Sequence, residues 1–149
     1  MLIDILKLKH SGKTSENFDF QFLPNESFEL DNSAIIDGPI RVSGSLQLHN
    51  DDVDVDGEIS CLIVGNCARC LEKATYQFKE NFYATFVRSN PSLEDDEYLY
   101  KKGVVDLTDV VRDFVLTNMP SVIYCKDDCK GLCPVCGCNH NESDCDCKY

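Results

Sequence analysis

The chain has 149 residues, of which 43% are hydrophobic, and its 26 acidic and 14 basic residues give a net charge of −12. This length suits one modest hydrophobic core. No stretch approaches the ~18 apolar residues of a membrane-spanning helix. Lys7 follows the first apolar stretch instead of preceding it, which is the wrong order for a secretory signal. The negative charge disfavours general binding to a phosphate backbone. These features predict a cytoplasmic protein that binds no membrane.

Alternation of apolar and polar residues predicts most of the fold. Residues 2–9 are predicted to form a first strand, and residues 10–32 a loop that contains at most one strand, at 18–23. A period of two then runs through residues 40–48, 53–63 and 74–86, with short polar turns between these segments. Such a pattern predicts an antiparallel meander with one buried face, either open or curled into a partly open barrel.

One amphipathic helix is predicted over about residues 106–118. Its apolar stripe follows the spacing i, i+3, i+4, i+7, i+8 and consists of Leu107, Val110, Val111, Phe114 and Val115. Asp106 is expected to cap the helix, and Pro120 to end it. The acidic segment 89–103 before the helix is typical of a solvated, mobile loop.

The ten cysteines indicate metal binding, because seven of them lie between residues 125 and 147 and a reducing cytosol does not favour disulfides. Zinc takes four ligands in a tetrahedron, often thiolates at ~2.3 Å. Cys133 and Cys136 form a close pair followed by Gly137, which eases a tight turn. Cys145 and Cys147 supply a second pair nearby. These four cysteines are predicted to form one zinc site.

A second zinc site is predicted from the two remaining pairs, Cys67 with Cys70 and Cys125 with Cys129. The first pair lies at the tip of a predicted hairpin, and the chain returning from the helix would bring the second pair beside it. A rival arrangement places the 125/129 and 133/136 pairs on one ion and joins 67/70 to 145/147. The favoured arrangement closes its tail site locally, at a lower cost in loop entropy.

Several alternatives remain open for individual residues. Cys61 lies on the apolar side of its strand and is expected to be a buried, inert thiol. Cys138 could replace Cys136 as a ligand, and His140 could be a substitute ligand. All these cysteines could instead be free buried thiols, or a C-x-x-C pair could act in thiol redox chemistry. Redox pairs usually open a helix after a strand, whereas Cys67 and Cys70 lie between two predicted strands.

The charge pattern bears on the partner. Each zinc ion held by four thiolates adds −2, which takes the chain from −12 to about −16. This field favours a basic protein and disfavours a general grip on RNA. The sequence contains no catalytic triad spacing or phosphate-binding glycine loop. A basic protein partner is therefore expected.

Three segments resemble the YceD family of large ribosomal RNA subunit accumulation proteins. They are Cys67-Ala-Arg-Cys70-Leu71, the helix from Asp106 to Pro120, and Cys125-Lys-Asp-Asp-Cys129-Lys-Gly-Leu-Cys133-Pro-Val-Cys136-Gly137. The resemblance covers roughly residues 35–149, although residues 138–141 depart from the usual family pattern. It implies a role in accumulation of large-subunit rRNA, no known catalytic activity, and an independent site at Cys67, Cys70, Cys125 and Cys129.

The sequence as a whole predicts an α+β fold. Residues 1–124 are expected to form a mainly antiparallel β domain with one packed helix, and residues 125–149 a zinc-binding tail packed on it as one structural unit. The expected function is non-enzymatic: an acidic ribosome biogenesis factor that binds two zinc ions and a basic large-subunit partner, with rRNA contacted indirectly. Direct binding of rRNA is the alternative, and a thiol redox enzyme a further one.

Overall fold

The computed structural model describes residues 1–30, 34–88 and 97–148. Its strands are β1 (Leu2–Asp4), β2 (Ser15–Phe22), β3 (Ile35–His49), β4 (Asp52–Asn66), β5 (Lys73–Val87), β6 (Glu97–Leu99) and β7 (Val104–Asp106). The α-helices are α1 (Ile5–His10) and α2 (Thr108–Asn118), and a short 3-10 helix spans Glu26–Phe28.

A five-stranded sheet forms the body of the protein. Its strand order is β2-β3-β4-β5-β6, and the first three pairings are antiparallel. The short strand β6 pairs parallel to the end of β5. The sheet is open, with β2 and β6 at its edges. The α+β class and the antiparallel meander are thus confirmed, and the described strands form no closed barrel.

One face of the sheet carries the core, as the period-two pattern predicts. Val42, Leu46, Val55 and Ile59 are fully buried on this face, whereas the alternating polar residues lie on the other. The largest wholly buried side chains include Phe78, Phe86, Ile5, Ile40, Leu46, Ile59, Ile63 and Leu107. Strands β1 and β7 form a separate two-stranded sheet whose buried Ile3 and Val105 belong to the same core.

Helix α2 covers the core face with the predicted stripe. Leu107, Val110, Val111 and Val115 are buried, and Phe114 is half-buried. The ring of Phe114 lies 6.2 Å from that of Phe82 on β5. The Phe82 ring in turn lies so close to β4 that a Cβ on Gly57 would come within 2.9 Å of it. Glycine at this position therefore lets the aromatic pair, and with it the helix, approach the centre of the sheet.

The N-terminal segment differs from the prediction. Only residues 2–4 of the predicted strand 2–9 are extended, and Ile5–His10 form helix α1. The reason is local, since the Asp4 carboxylate accepts a hydrogen bond from the Lys7 backbone N–H (2.9 Å) as an N-cap. Ile5 and Leu8 then lie on one buried side of a helical turn.

Three further boundaries change. The possible strand at 18–23 is the longer β2, whose pairing with β3 begins at Ser15. The predicted loop 89–103 contains β6 at Glu97–Leu99, while residues 89–96 lie outside the described part of the chain. Asp106 stands one residue before the helix cap, where its carboxylate accepts hydrogen bonds from the Thr108 N–H (3.0 Å) and hydroxyl (2.6 Å). Within the described residues, no helix is long and apolar enough to cross a membrane.

Candidate metal centres

The first thiol cluster joins the tip of the β4–β5 hairpin to the segment after α2. Cys67 and Cys70 follow the end of β4, and Cys125 and Cys129 come from the returning chain. The Cys67 and Cys129 sulfurs are 3.8 Å apart, and those of Cys70 and Cys125 are 3.5 Å apart. All four sulfurs lie within 4.8 Å of one another. The structure therefore brings together residues that are up to 62 positions apart in sequence.

The returning chain is fixed to the hairpin by several contacts. The Ala68 N–H donates to the Ile123 carbonyl (2.9 Å), and the Leu132 N–H donates to the Arg69 carbonyl (3.1 Å). The Arg69 guanidinium donates to the Cys129 carbonyl (3.1 Å) and lies 4.6 Å from the centre of the Tyr124 ring. Cys67, Cys70, Ala74, Ile123 and Cys129 form a small buried cluster of their own. Three of these five buried residues are cysteines, so thiols make up most of this small core.

The second thiol cluster lies entirely within the tail. The sulfurs of Cys133, Cys136, Cys145 and Cys147 also lie within 4.8 Å of one another. Cys133 is buried, whereas the other three are half-buried or exposed. The sulfurs are grouped as the sequence spacing favours and not as in the rival arrangement, and metal binding by each group stays a prediction.

The two C-x-x-C turns have the same backbone geometry. In each, the third residue donates its N–H to the first sulfur: Arg69 to Cys67 at 3.5 Å, and Val135 to Cys133 at 3.4 Å. In each, the residue after the second cysteine donates its N–H to the carbonyl of the first, at 3.0 Å and 2.9 Å. That residue has a positive φ in both turns, +62° at Leu71 and +74° at Gly137. Glycine suits this conformation, whereas Leu71 adopts it at a cost.

The thiols within each cluster have widely different pKa values. Burial raises the pKa of Cys67, but backbone N–H groups that donate to its sulfur outweigh this effect and lower the pKa to about 6. Backbone N–H groups likewise lower the pKa of Cys133 to about 6. Desolvation and the neighbouring thiols raise the pKa of Cys125 to about 12. Negative sulfurs this close repel one another, so a bound cation would favour full ionisation.

The geometry fits a tetrahedral metal ion. A tetrahedron with metal–sulfur bonds of about 2.3 Å has edges of about 3.8 Å. The sulfur–sulfur distances of 3.5 and 3.8 Å in the first cluster are close to this length. Both clusters could therefore hold a metal ion through four thiolates.

The remaining cysteines and His140 lie outside both clusters. Cys61 is buried in β4, and burial raises its pKa to about 11, as expected for an inert thiol. The Cys138 sulfur lies 3.1 Å from the Ser143 hydroxyl. The Nε2 atom of His140 is buried and has no hydrogen-bond partner among the described residues. Neither Cys138 nor His140 joins the four-thiol groups.

Two supporting residues escape sequence reasoning. Asn141 lies in the loop of the second cluster, but its side-chain amide donates to the Cys129 sulfur of the first cluster (3.4 Å). Its carbonyl oxygen accepts from the Lys130 N–H (3.0 Å), which fixes the orientation of the amide. Arg69 ties the hairpin tip to the returning chain. Neither residue type is a usual ligand of zinc. The only sequence signal is proximity to cysteines, since Arg69 precedes Cys70 and Asn141 follows Cys138 by three residues.

Comparison with known proteins agrees with the resemblance seen in the sequence. The profile described as "Large ribosomal RNA subunit accumulation protein YceD" matches residues 55–149, which include both thiol clusters. The chain belongs to the YceD family. It is 27% identical over 133 residues to uncharacterized protein YlbN of Bacillus subtilis, covering 87% of this chain and 77% of that protein. It is 29% identical over 147 residues to uncharacterized protein Rv2926c of Mycobacterium tuberculosis, covering 92% and 69%. No solved structure matches this YceD protein.

Proposed function

We propose that this YceD protein is a non-enzymatic factor in biogenesis of the large ribosomal subunit, and that it binds two zinc ions and a basic protein partner. The observation that carries the ribosomal role is the family match over residues 55–149, since the family is named for accumulation of large-subunit rRNA. A cytoplasmic location follows from this role and remains a prediction.

The choice of zinc is supported by the ligand sets. Each cluster offers four thiol sulfurs and thus fills a tetrahedral coordination shell. Catalytic zinc sites usually have three protein ligands and leave the fourth position for water. The C-x-x-C pair at Cys67 lies between two strands instead of opening a helix, unlike most thiol redox motifs. These features favour structural ions, and the tail and β domain would then form one unit.

The choice of a basic partner is supported by an acidic row on the polar face of the sheet. Asp54, Asp56 and Glu58 alternate along the central strand β4, and Asp19 lies on the same face on β2. Ion pairs with Lys79 and Arg41 neutralise Glu58 and Asp19 in part. With zinc bound, the formal charge of the chain is about −16. A basic surface would be steered towards this face.

The test compares two variants with the same change in net charge. Asp54→Asn, Asp56→Asn and Glu58→Gln remove the acidic row, and Asp127→Asn, Asp144→Asn and Asp146→Asn remove three exposed acids of the tail. Tagged protein is purified from cells with and without ribonuclease, and the bound ribosomal proteins are identified. We expect a basic large-subunit protein to copurify with the wild type and the tail variant only, in a ribonuclease-resistant manner.

Two outcomes would contradict the proposal. Loss of the partner after ribonuclease treatment would favour the alternative, direct binding of rRNA. Normal large-subunit rRNA levels in a deletion strain would contradict the ribosomal role itself.

A further inference from the structure

A basic cavity lies at the end of the sheet opposite the thiol clusters. Its volume is about 600 Å³, and α1, the β3–β4 turn and the segment from Tyr100 to Gly103 form its walls. Strand β4 begins beside this cavity, after Asp51, and ends at the hairpin tip beside Cys67. Fifteen residues of extended chain span roughly 45 Å, so the two regions are far apart. The cavity therefore needs an explanation separate from the metal centres.

The charge of this cavity is opposite to that of the protein. Of the lining residues that the structure describes, four are basic, Lys9, Arg88, Lys101 and Lys102, and one is acidic, Asp51. The whole chain has 14 basic and 26 acidic residues. The described lining residues thus carry a charge of +3, whereas the whole chain carries −12. Such a concentration of positive charge around a concave surface attracts an anion.

The acidic residue is already engaged. The Asp51 carboxylate accepts from the Lys9 ammonium at 3.2 Å, and its backbone carbonyl accepts from the Tyr100 hydroxyl at 2.6 Å. Within the described part of the chain, Arg88, Lys101 and Lys102 have no acidic partner within 4.0 Å. These three cations are exposed, and no described acidic side chain competes with a ligand for them.

The backbone that carries two of these cations is held in place. The Val104 N–H donates to the Lys101 carbonyl (3.1 Å), and both central residues of this tight turn have a positive φ, +55° at Lys102 and +72° at Gly103. The Gly103 carbonyl accepts from the Ile5 N–H at 2.8 Å, which fastens the turn to α1. A fixed turn lowers the entropy lost when its side chains bind a ligand.

We propose that this cavity is a binding site for a phosphate group. Lysine and arginine are the usual phosphate ligands, arginine through its planar fork and lysine as a point charge. The buried Ile5 and Tyr100 side chains provide an apolar wall beside the cations. The volume lies in the range of small-ligand pockets, about 300–1,000 Å³. The phosphate could belong to a free small molecule or to RNA, and both present the same chemistry to these cations.

The test uses two variants with the same loss of positive charge. Arg88→Gln, Lys101→Gln and Lys102→Asn remove the free cations of the cavity. The change Lys102→Asn preserves the turn, because asparagine tolerates a positive φ and is favoured before glycine in such turns. Lys73→Gln, Lys130→Gln and Lys148→Gln serve as the control. Binding of inorganic pyrophosphate and of a short single-stranded RNA is measured on the zinc-loaded protein by titration calorimetry and fluorescence anisotropy, and circular dichroism verifies folding.

We expect the cavity variant to bind pyrophosphate at least tenfold more weakly than the wild type, and the control variant to bind it within twofold. RNA binding that weakens in the same variant and is competed by pyrophosphate would assign the phosphate to RNA. Binding of pyrophosphate without RNA would assign it to a small molecule. Equal pyrophosphate binding by all three proteins, or none by the wild type, would overturn the proposal.

Discussion

The sheet and the tail of this protein are organised by different forces. The sheet buries a continuous set of aliphatic and aromatic side chains from all its long strands and from α2. The tail after Cys125 has no helix or strand among its described residues, and its few buried residues include Cys129 and Cys133. In the sheet, each contact contributes a little and the sum is large. The tail lacks such a core, and its thiols belong to two clusters that could hold metal ions. With zinc bound, we expect the loss of one thiol to matter more than the loss of a core side chain.

The largest expected effect is removal of a thiol from the first cluster. Cys67→Ser and Cys129→Ser should release the same zinc ion and loosen both the hairpin tip and the returning chain. Binding at structural zinc sites contributes an apparent ~10–16 kcal/mol to folding of small domains. The double variant should be little worse than either single one, because ligands of one ion are strongly coupled. Native mass spectrometry gives the ion count, and hydrogen exchange of the hairpin amides gives the loosening.

Two further variants complete this comparison. Cys145→Ser should release the other ion and leave the hairpin amides protected, whereas Cys138→Ser should retain both ions. If Cys129→Ser and Cys145→Ser empty the same site, the grouping of the ligands is wrong.

A core substitution should affect the sheet without affecting the metal centres. Phe78 is fully buried, so Phe78→Ala should lower the free energy of unfolding by about 3–5 kcal/mol through the cavity that it leaves. Phe114→Ala should cost less, because Phe114 is half-buried beside Phe82. Urea denaturation measures both, and the folded variants should still bind two ions. Release of zinc from folded Phe78→Ala protein would show that the metal centres depend on the packing of the core.

A smaller effect is expected from the amide that connects the clusters. Asn141→Ala removes the hydrogen bond to the Cys129 sulfur and should weaken zinc binding at the first cluster by about 10–100-fold. The second cluster should keep its affinity, although Asn141 belongs to its loop. Competition with a chromophoric chelator measures both affinities, and Glu142→Gln, at an exposed position in the same loop, is the control. Equal effects on the two sites would contradict the link.

The smallest expected effect concerns the positive φ of Leu71 in the first C-x-x-C turn, where the second turn has Gly137. Leu71→Gly should stabilise the protein by about 0.5–1 kcal/mol, because glycine avoids the cost of a positive φ that Leu71 incurs. Leu116→Gly, the same change on the exposed face of α2, should destabilise it by about 1 kcal/mol. Thermal unfolding of the zinc-loaded proteins distinguishes the two. A loss of stability in both would show that Leu71 makes contacts that outweigh its backbone strain.

The sequence predicts the long central strands better than the segments at the margins of the fold. The strands from Ile40 to Phe86 and the stripe on α2 follow from periodicity, because burial on one face imposes it. Periodicity does not predict helix α1, because its six residues make fewer than two helical turns. The Asp4 cap that favours the helix is a local hydrogen bond. The grouping of thiols could be favoured from loop lengths. The roles of Asn141 and Arg69 depend on contacts between distant segments, which spacing does not reveal.

The basic cavity shows the same limit. Lys9, Asp51, Arg88 and Lys101 come from four separate parts of the sequence, and only the folded sheet brings them together. The net charge of −12 disfavours an anion site when it is considered as an average over the chain. A local cluster of charge is a property of the fold, and composition alone predicts only the average.

X-ray absorption at the zinc edge, combined with elemental analysis of protein purified without chelators, tests the central claim most directly. We predict two zinc ions per chain, each surrounded by four sulfur atoms at about 2.3 Å. Cys145→Ser protein should contain one ion that keeps the four-sulfur shell. Fewer than two ions in the wild type, nitrogen or oxygen atoms in the first shell, or disulfide bonds in place of metal would contradict the two four-thiolate centres.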